Sequence, residues 1–170
     1  YFKDELFFKD VLGDTKEEII KNIMFNKDFL KELTILCVED DDGIRSRLVG
    51  TLKYYFGTVY EASNGEEGFV NYEKHHPDLI LSDIQMPVCD GITLAKKIRH
   101  YDKQTPIVML TAYSKEEYLM ELINLKIDHF ILKPANAQRL LEGICTALEG
   151  RLLGKVKLCQ GLFFAPLERK

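Results

Sequence analysis

Apolar residues recur in two rhythms along the chain from residue 34 onward. Short runs of nearly continuous apolar and β-branched character fall at Ile35–Val38, Thr58–Glu61, Leu79–Ser82, Ile107–Thr111 and Ile127–Leu132. Each has the length of a strand, and unbroken apolar character is how a strand covered on both faces reads. Between the runs, apolar residues return at helical spacing: Ile44, Leu48, Leu52 and Phe56; Ile92, Ala95 and Ile98; Tyr118, Leu122 and Leu125; Leu140, Leu141, Ile144 and Leu148. Gly65–Tyr72 supplies a weaker helix.

Five strands alternating with five helices predict an α/β fold with a doubly wound parallel sheet. Right-handed crossovers leave few topologies, and the flavodoxin-like order 2-1-3-4-5 leads among them. The alternation spans residues 33–149. Residues 1–32 stand outside it as an N-terminal helical extension or linker. There Thr15 and Glu18 have capping-box spacing, and Ile19, Ile20, Ile23, Met24 and Leu30 form an apolar stripe. Such stripes usually pack, so a helix docked on its own domain, or a linker to a preceding one, is expected; the alternative is a dimerisation or partner helix. Residues 150–170 read as a linker and the possible start of a C-terminal effector domain. Lys155–Leu158 and Leu162–Phe164 resemble two short strands around Gln160-Gly161. Two strands alone are marginal in water, which implies a larger protein cut near the start of a second domain.

An apolar share of 46% is that of a folded protein with a proper core. The formal charge of −4 and pI near 5.6 argue against non-specific nucleic-acid binding. No apolar run approaches the roughly 20 residues that span a bilayer, so no membrane association is expected. No secretory leader is visible, although the first residue is Tyr1 rather than Met, so the natural N-terminus is expected to lie outside this sequence. Cys37, Cys89, Cys145 and Cys159 form no CxxC pair, and no His lies at finger-like spacing, so no zinc site is expected. Reduced thiols in a cytoplasmic protein are the simplest account.

Four features fall at strand ends on one edge of the sheet: Glu39-Asp40-Asp41, Asp83, Thr111-Ala112 and Lys133-Pro134. In open α/β sheets the ligand site lies outside the carboxyl ends of the strands, where strand order reverses. In the order 2-1-3-4-5, the first and third strands flank that point, which brings Glu39, Asp40 and Asp83 together. At about 4 Å and an effective dielectric near 20, each like-charge pair costs on the order of 4 kcal/mol. Such a cluster needs a cation or a protonated member. Hard oxygen ligands favour Mg²⁺ or Mn²⁺. Lys133 adds a positive charge and Thr111 a hydroxyl donor. A carboxylate nucleophile, a metal, a lysine and a hydroxyl together suit phosphoryl transfer onto Asp83. Taken singly each piece has a structural explanation, and Asp41 or Asp42 fits a helix N-cap. The joint pattern, on strand ends and in order, carries the functional reading.

ILCVEDD (35–41), PDLILSDIQMPVCDG (77–91), PIVMLTA (106–112) and HFILKPA (129–135) resemble the receiver domain of bacterial two-component response regulators. The resemblance implies that Asp83 is the phosphoacceptor, charged by a sensor histidine kinase in a Mg²⁺-dependent reaction. Asp40 is then the direct metal ligand, Glu39 acts largely through water, and the Gln85 backbone carbonyl completes the protein's ligands. Thr111 and Lys133 contact the phosphoryl oxygens, and the Lys133-Pro134 bond is cis. Thr111 and Phe130 form the switch: Thr111 moves toward the phosphoryl group and Phe130 turns inward. That alters the face built by the helix at 118–125, the strand ending at Leu132 and the helix at 140–148 (helix 4, strand 5 and helix 5 of the alternation), a possible homodimer surface. Moving the population from 1:99 to 99:1 takes about 5.5 kcal/mol. Such a domain is a signalling phosphoacceptor rather than an enzyme. Gln85 and Tyr113 each lie two residues past a site residue, where their bulk is expected to slow self-dephosphorylation.

KLCQGLFFAPLERK (157–170) resembles the opening strands of a winged-helix DNA-binding domain, which implies control of transcription, with DNA bound only by a domain absent from this chain. The alternative is a stand-alone or kinase-attached receiver acting through protein–protein contacts. A haloacid-dehalogenase phosphatase needs a carboxylate where Gln85 stands. A flavodoxin-like cofactor binder needs a phosphate-cradling loop where the acidic triplet stands, and an EF-hand needs alternating carboxylates. A pseudo-receiver lacks one of the key residues, and here all are present.

Overall fold

The structure, a computed structural model, describes residues 15–112 and 116–163, with 116–117 and 152–163 described by backbone alone. Five parallel strands, β1 (Thr34–Val38), β2 (Thr58–Ala62), β3 (Leu79–Asp83), β4 (Ile107–Thr111) and β5 (His129–Leu132), form one sheet in the order β2-β1-β3-β4-β5. The expected doubly wound, flavodoxin-like fold is therefore present. Alternation along the strands divides the core in two. Ile35, Cys37, Leu79, Leu81, Val108, Leu110 and Ile131 point to one face. There they meet helices α1 (Lys16–Phe25), α2 (Lys27–Glu32), α3 (Asp42–Tyr55) and α7 (Ala137–Phe163). Leu36, Val38, Ile80 and Met109 point to the other, against α4 (Gly65–His75), α5 (Gly91–Tyr101) and α6 (Glu116–Asn124). Period-2 side chains on strands covered by helices on both sides produce this division.

The described part of the extension, residues 15–32, is a helical pair docked on its own domain. The capping box forms: the Glu18 amide donates to Thr15 Oγ1 at 3.2 Å, and the Thr15 amide to the Glu18 carboxylate at 3.4 Å. Asn26 caps α2 by accepting from the Phe29 amide at 3.1 Å. Ile19, Ile23 and Leu30 are buried in the core that contains Leu140, Leu141 and Leu148 of α7. Full burial of a residue such as Ile23 is worth about 1.5–3 kcal/mol. Gly57 makes the junction possible, because a Cβ there would stand 1.9 Å from the Lys31 carbonyl oxygen.

Two expectations are corrected. β5 begins at His129, not Ile127: Lys126 takes a left-handed φ of 52°, the Ile127 amide bonds back to the Leu122 carbonyl, and the Asp128 carboxylate accepts from the Ile107 amide. Residues 155–163 are not strands but the end of α7, a 27-residue helix that crosses the expected boundary at 149/150. Leu152, Val156, Cys159 and Phe163 recur at spacings of four, three and four, a helical period that the two short apolar runs conceal. Phe164 lies outside the described residues. No helix among the described residues is long and apolar enough to cross a membrane.

Candidate functional site

The acidic triplet sits where β1 gives way to α3. Glu39 extends the strand, its amide donating to the Ala62 carbonyl at 3.1 Å, and its side chain is 1% exposed. Asp41 is the N-cap of α3, accepting from the Ile44 amide at 2.8 Å, so it serves the helix and leaves Glu39 and Asp40 to the crevice. Arg45, one turn into α3, donates to the Glu39 carbonyl at 2.8 Å and pins the triplet's backbone.

β3 delivers Asp83 to the same edge. The carboxylate is nearly buried, and Oδ1 accepts from the Ile84 amide at 2.8 Å, which fixes its plane. The chain then doubles back so closely that a Cβ at Gly91 would stand 2.1 Å from the Asp83 carbonyl oxygen. In the loop between, the Cys89 amide bonds to the Pro87 carbonyl at 2.8 Å, with Val88 exposed at a φ of 68°. A β-branched residue in that region is strained.

Lys133 reaches across from the end of β5. Its Nζ stands 2.6 Å from Glu39 Oε2 and 3.0 Å from Asp83 Oδ2. The Lys133-Pro134 bond is cis, and the Lys133 amide donates to the Thr111 carbonyl at 2.8 Å. One carboxylate oxygen each from Glu39, Asp40 and Asp83 lies within 4.8 Å of the others. Burial pushes the Glu39 carboxyl up, and the Lys133 ammonium and Asp41 amide only partly oppose it, so its pKa is raised. Burial also acts against the Lys133 charge, but Glu39 and Asp83 more than offset it and its pKa is raised too. Three carboxylates facing one ammonium leave excess negative charge among hard oxygen donors, which fits a small divalent cation. A cavity of about 120 Å³, lined by Asp83, Ile84, Gln85, Thr111, Ala112, Tyr118 and Lys133, opens beside Asp83.

Every site residue expected from the sequence therefore lies at this edge, except Phe130, which is half-buried against the α4–α6 core beside Met109, its partner across the ladder. Tyr113 lies outside the described residues. Arg45 and Tyr118 are additions: no motif marks them, because their arrival at the site depends on how α3 and α6 are rotated against the sheet.

Residues 35–144 match the family described as the response regulator receiver domain. This chain belongs to that family. It is the receiver domain of a two-component response regulator. The receiver is 39% identical over 111 residues to the chemotaxis protein CheY of Bacillus subtilis, covering 65% of this chain and 92% of that protein. It is 40% identical over 100 residues to the transcriptional regulatory protein SrrA of Staphylococcus aureus, covering 59% of this chain and 41% of SrrA. Among solved structures, the CheX–CheY–BeF3–Mg²⁺ complex from Borrelia burgdorferi aligns with a TM-score of 0.64 at 27% identity, over 68% of this chain and 89% of that one.

Proposed function

We propose that this receiver takes a phosphoryl group from a sensor histidine kinase onto Asp83. The supporting observation is the convergence of an almost buried Asp83, the Glu39–Asp40 pair and the Lys133 ammonium at one edge of the sheet. Mg²⁺ or Mn²⁺ would be held by Asp40, Asp83 and the Gln85 carbonyl, with Glu39 acting through water, and supplies charge neutralisation during transfer. The CheY of Borrelia, crystallised with BeF3 and Mg²⁺, supports that assignment. An oxygen of Asp83 forms a bond to phosphorus as the donor's bond to phosphorus breaks, and the leaving group departs with the electron pair. The Ile84 amide holds Oδ1, so the attacking oxygen has a fixed direction. The Lys133 ammonium, 3.0 Å from Asp83 Oδ2, is placed to donate to the phosphoryl oxygens, and the Thr111 hydroxyl joins it.

Thr111 and Phe130 then carry the change to the face of α6, β5 and α7. Leu119, Met120, Ile123 and Leu132 are exposed there, an apolar surface suited to a target protein or a second copy of the domain. The output is protein contact, as the CheX–CheY complex supports, or control of transcription through a further DNA-binding domain, as the SrrA likeness supports. Either output fits a cytoplasmic domain. Incubation with Mg²⁺ and phosphoramidate, followed by intact-mass spectrometry, is expected to add one phosphoryl group to the wild type. Asp83→Ala or EDTA removes the gain; an equal gain in Asp83→Ala contradicts the proposal.

A further inference from the structure

The cavity beside Asp83 has a neighbour of about 320 Å³, lined by Ile84, Gln85, Met86, Pro87, Asp90 and Tyr118. Ile84, Gln85 and Tyr118 line both, so they form the partition. Ile84 contributes fixed backbone there, tied through its amide to Asp83 and through its carbonyl to the Gly91 amide. Gln85 is exposed. Tyr118 is different: it is half-buried, packs against the α4–α6 core, and precedes the buried Leu122 by one helical turn. We propose that the Tyr118 ring is the wall that limits how large a phosphodonor, and how much water, reaches Asp83. This rests on the reading of Asp83 as phosphoacceptor and assigns Tyr118 an access-controlling, positioning role.

The cavity is small. At about 120 Å³ it has room for a phosphoryl group but little beside it. With phosphoramidate, an Asp83 oxygen bonds to phosphorus while the P–N bond breaks and the protonated nitrogen leaves as ammonia. With acetyl phosphate the P–O bond breaks and acetate, a bulkier group, must leave through the same opening. In hydrolysis a water oxygen bonds to phosphorus, the bond from Asp83 breaks with its electron pair returning to the carboxylate, and the water's proton leaves with inorganic phosphate. Removing the ring joins the two cavities and admits both the larger donor and more water.

The test compares wild type, Tyr118→Ala and Tyr118→Phe for phosphorylation rates with acetyl phosphate and phosphoramidate at saturating Mg²⁺, and for the half-life of the phosphorylated protein. Tyr118→Ala is expected to raise the acetyl phosphate to phosphoramidate rate ratio, and the hydrolysis rate, on the order of tenfold, the low end of what a methylene-sized steric difference supplies in a pocket. Tyr118→Phe keeps the ring and is expected to behave as wild type. An unchanged ratio and half-life in Tyr118→Ala overturns the inference, as does a loss of rate with both donors alike, the mark of a purely structural residue. Tyr118→Phe behaving like the alanine variant overturns it too, since the hydroxyl would then be the active part. Failure of the folded wild type to gain a phosphoryl group overturns the Asp83 reading itself, and the wall with it.

Discussion

Asp102 shows how one carboxylate is held by its surroundings away from the site. Burial pushes its carboxyl up, but hydrogen bonds from the Thr105 hydroxyl and amide, the Gln104 amide and the Tyr72 hydroxyl pull it well below the usual carboxylate range. The same contact works in reverse on Tyr72, whose hydroxyl is pushed up by burial and by the Asp102 carboxylate. A depressed acid stabilises the fold above its unfolded pKa, near 3.8, and that stability is lost as pH falls through the folded value. Thermal unfolding of Asp102→Asn is therefore expected to lie below wild type at pH 7, with the gap closing as pH drops under 3.8; a gap independent of pH contradicts this. At the site, Glu39, Asp83 and Lys133 were legible because each immediately ends a strand, so topology alone sets its position. Arg45 and Tyr118 were not, because a helix side chain reaches the edge only at one rotation, and apolar spacing defines rotation too loosely.

The elements with unbroken apolar runs, β1, β3 and β4, stand within a residue of their expected ends. The misreadings arise where a short apolar run has two explanations. Ile127 belongs to the turn after α6 because Lys126 closes that helix in the left-handed region, and nothing in Ile127-Asp128 distinguishes this from a strand start. Residues 155–163 carry apolar positions compatible with either period, and continuity with α7 decides for helix. The N-terminal stripe, in contrast, had one consistent period and a capping box, and it packs as expected. Ile23 is fully buried between α1 and the core formed with α7. Ile23→Ala is expected to cost about 2–5 kcal/mol in urea unfolding. A loss under about 0.5 kcal/mol, the level of surface substitutions, would mean that the extension does not stabilise the receiver.

Across the whole molecule, the site and the supporting contacts occupy opposite edges of one sheet. Asp83, Lys133 and Thr111 cap the carboxyl ends of β3, β5 and β4. At the other edge Asp128 accepts from the Ile107 amide at the start of β4, from Arg99 of α5 at 3.2 Å and from Arg151 of α7 at 2.6 Å. Arg99 also holds carbonyls of Leu125, Thr105 and Asp102, so α5, α7 and the loops beside β4 and β5 are fastened together. The strands that carry Thr111 and Phe130 are thus anchored at their starts, and their carboxyl ends lie beside the proposed phosphoacceptor Asp83. In the proposed switch, this anchoring leaves the carboxyl ends and the α6–β5–α7 face as the parts that rearrange. Every proposed step depends on Asp83 carrying the phosphoryl group. Borohydride reduction of the phosphorylated protein, followed by peptide mass spectrometry, reads that directly, because an aspartyl phosphate is reduced to homoserine. The account predicts homoserine at position 83 only, dependent on Mg²⁺; homoserine at another aspartate, with position 83 unmodified, would contradict it.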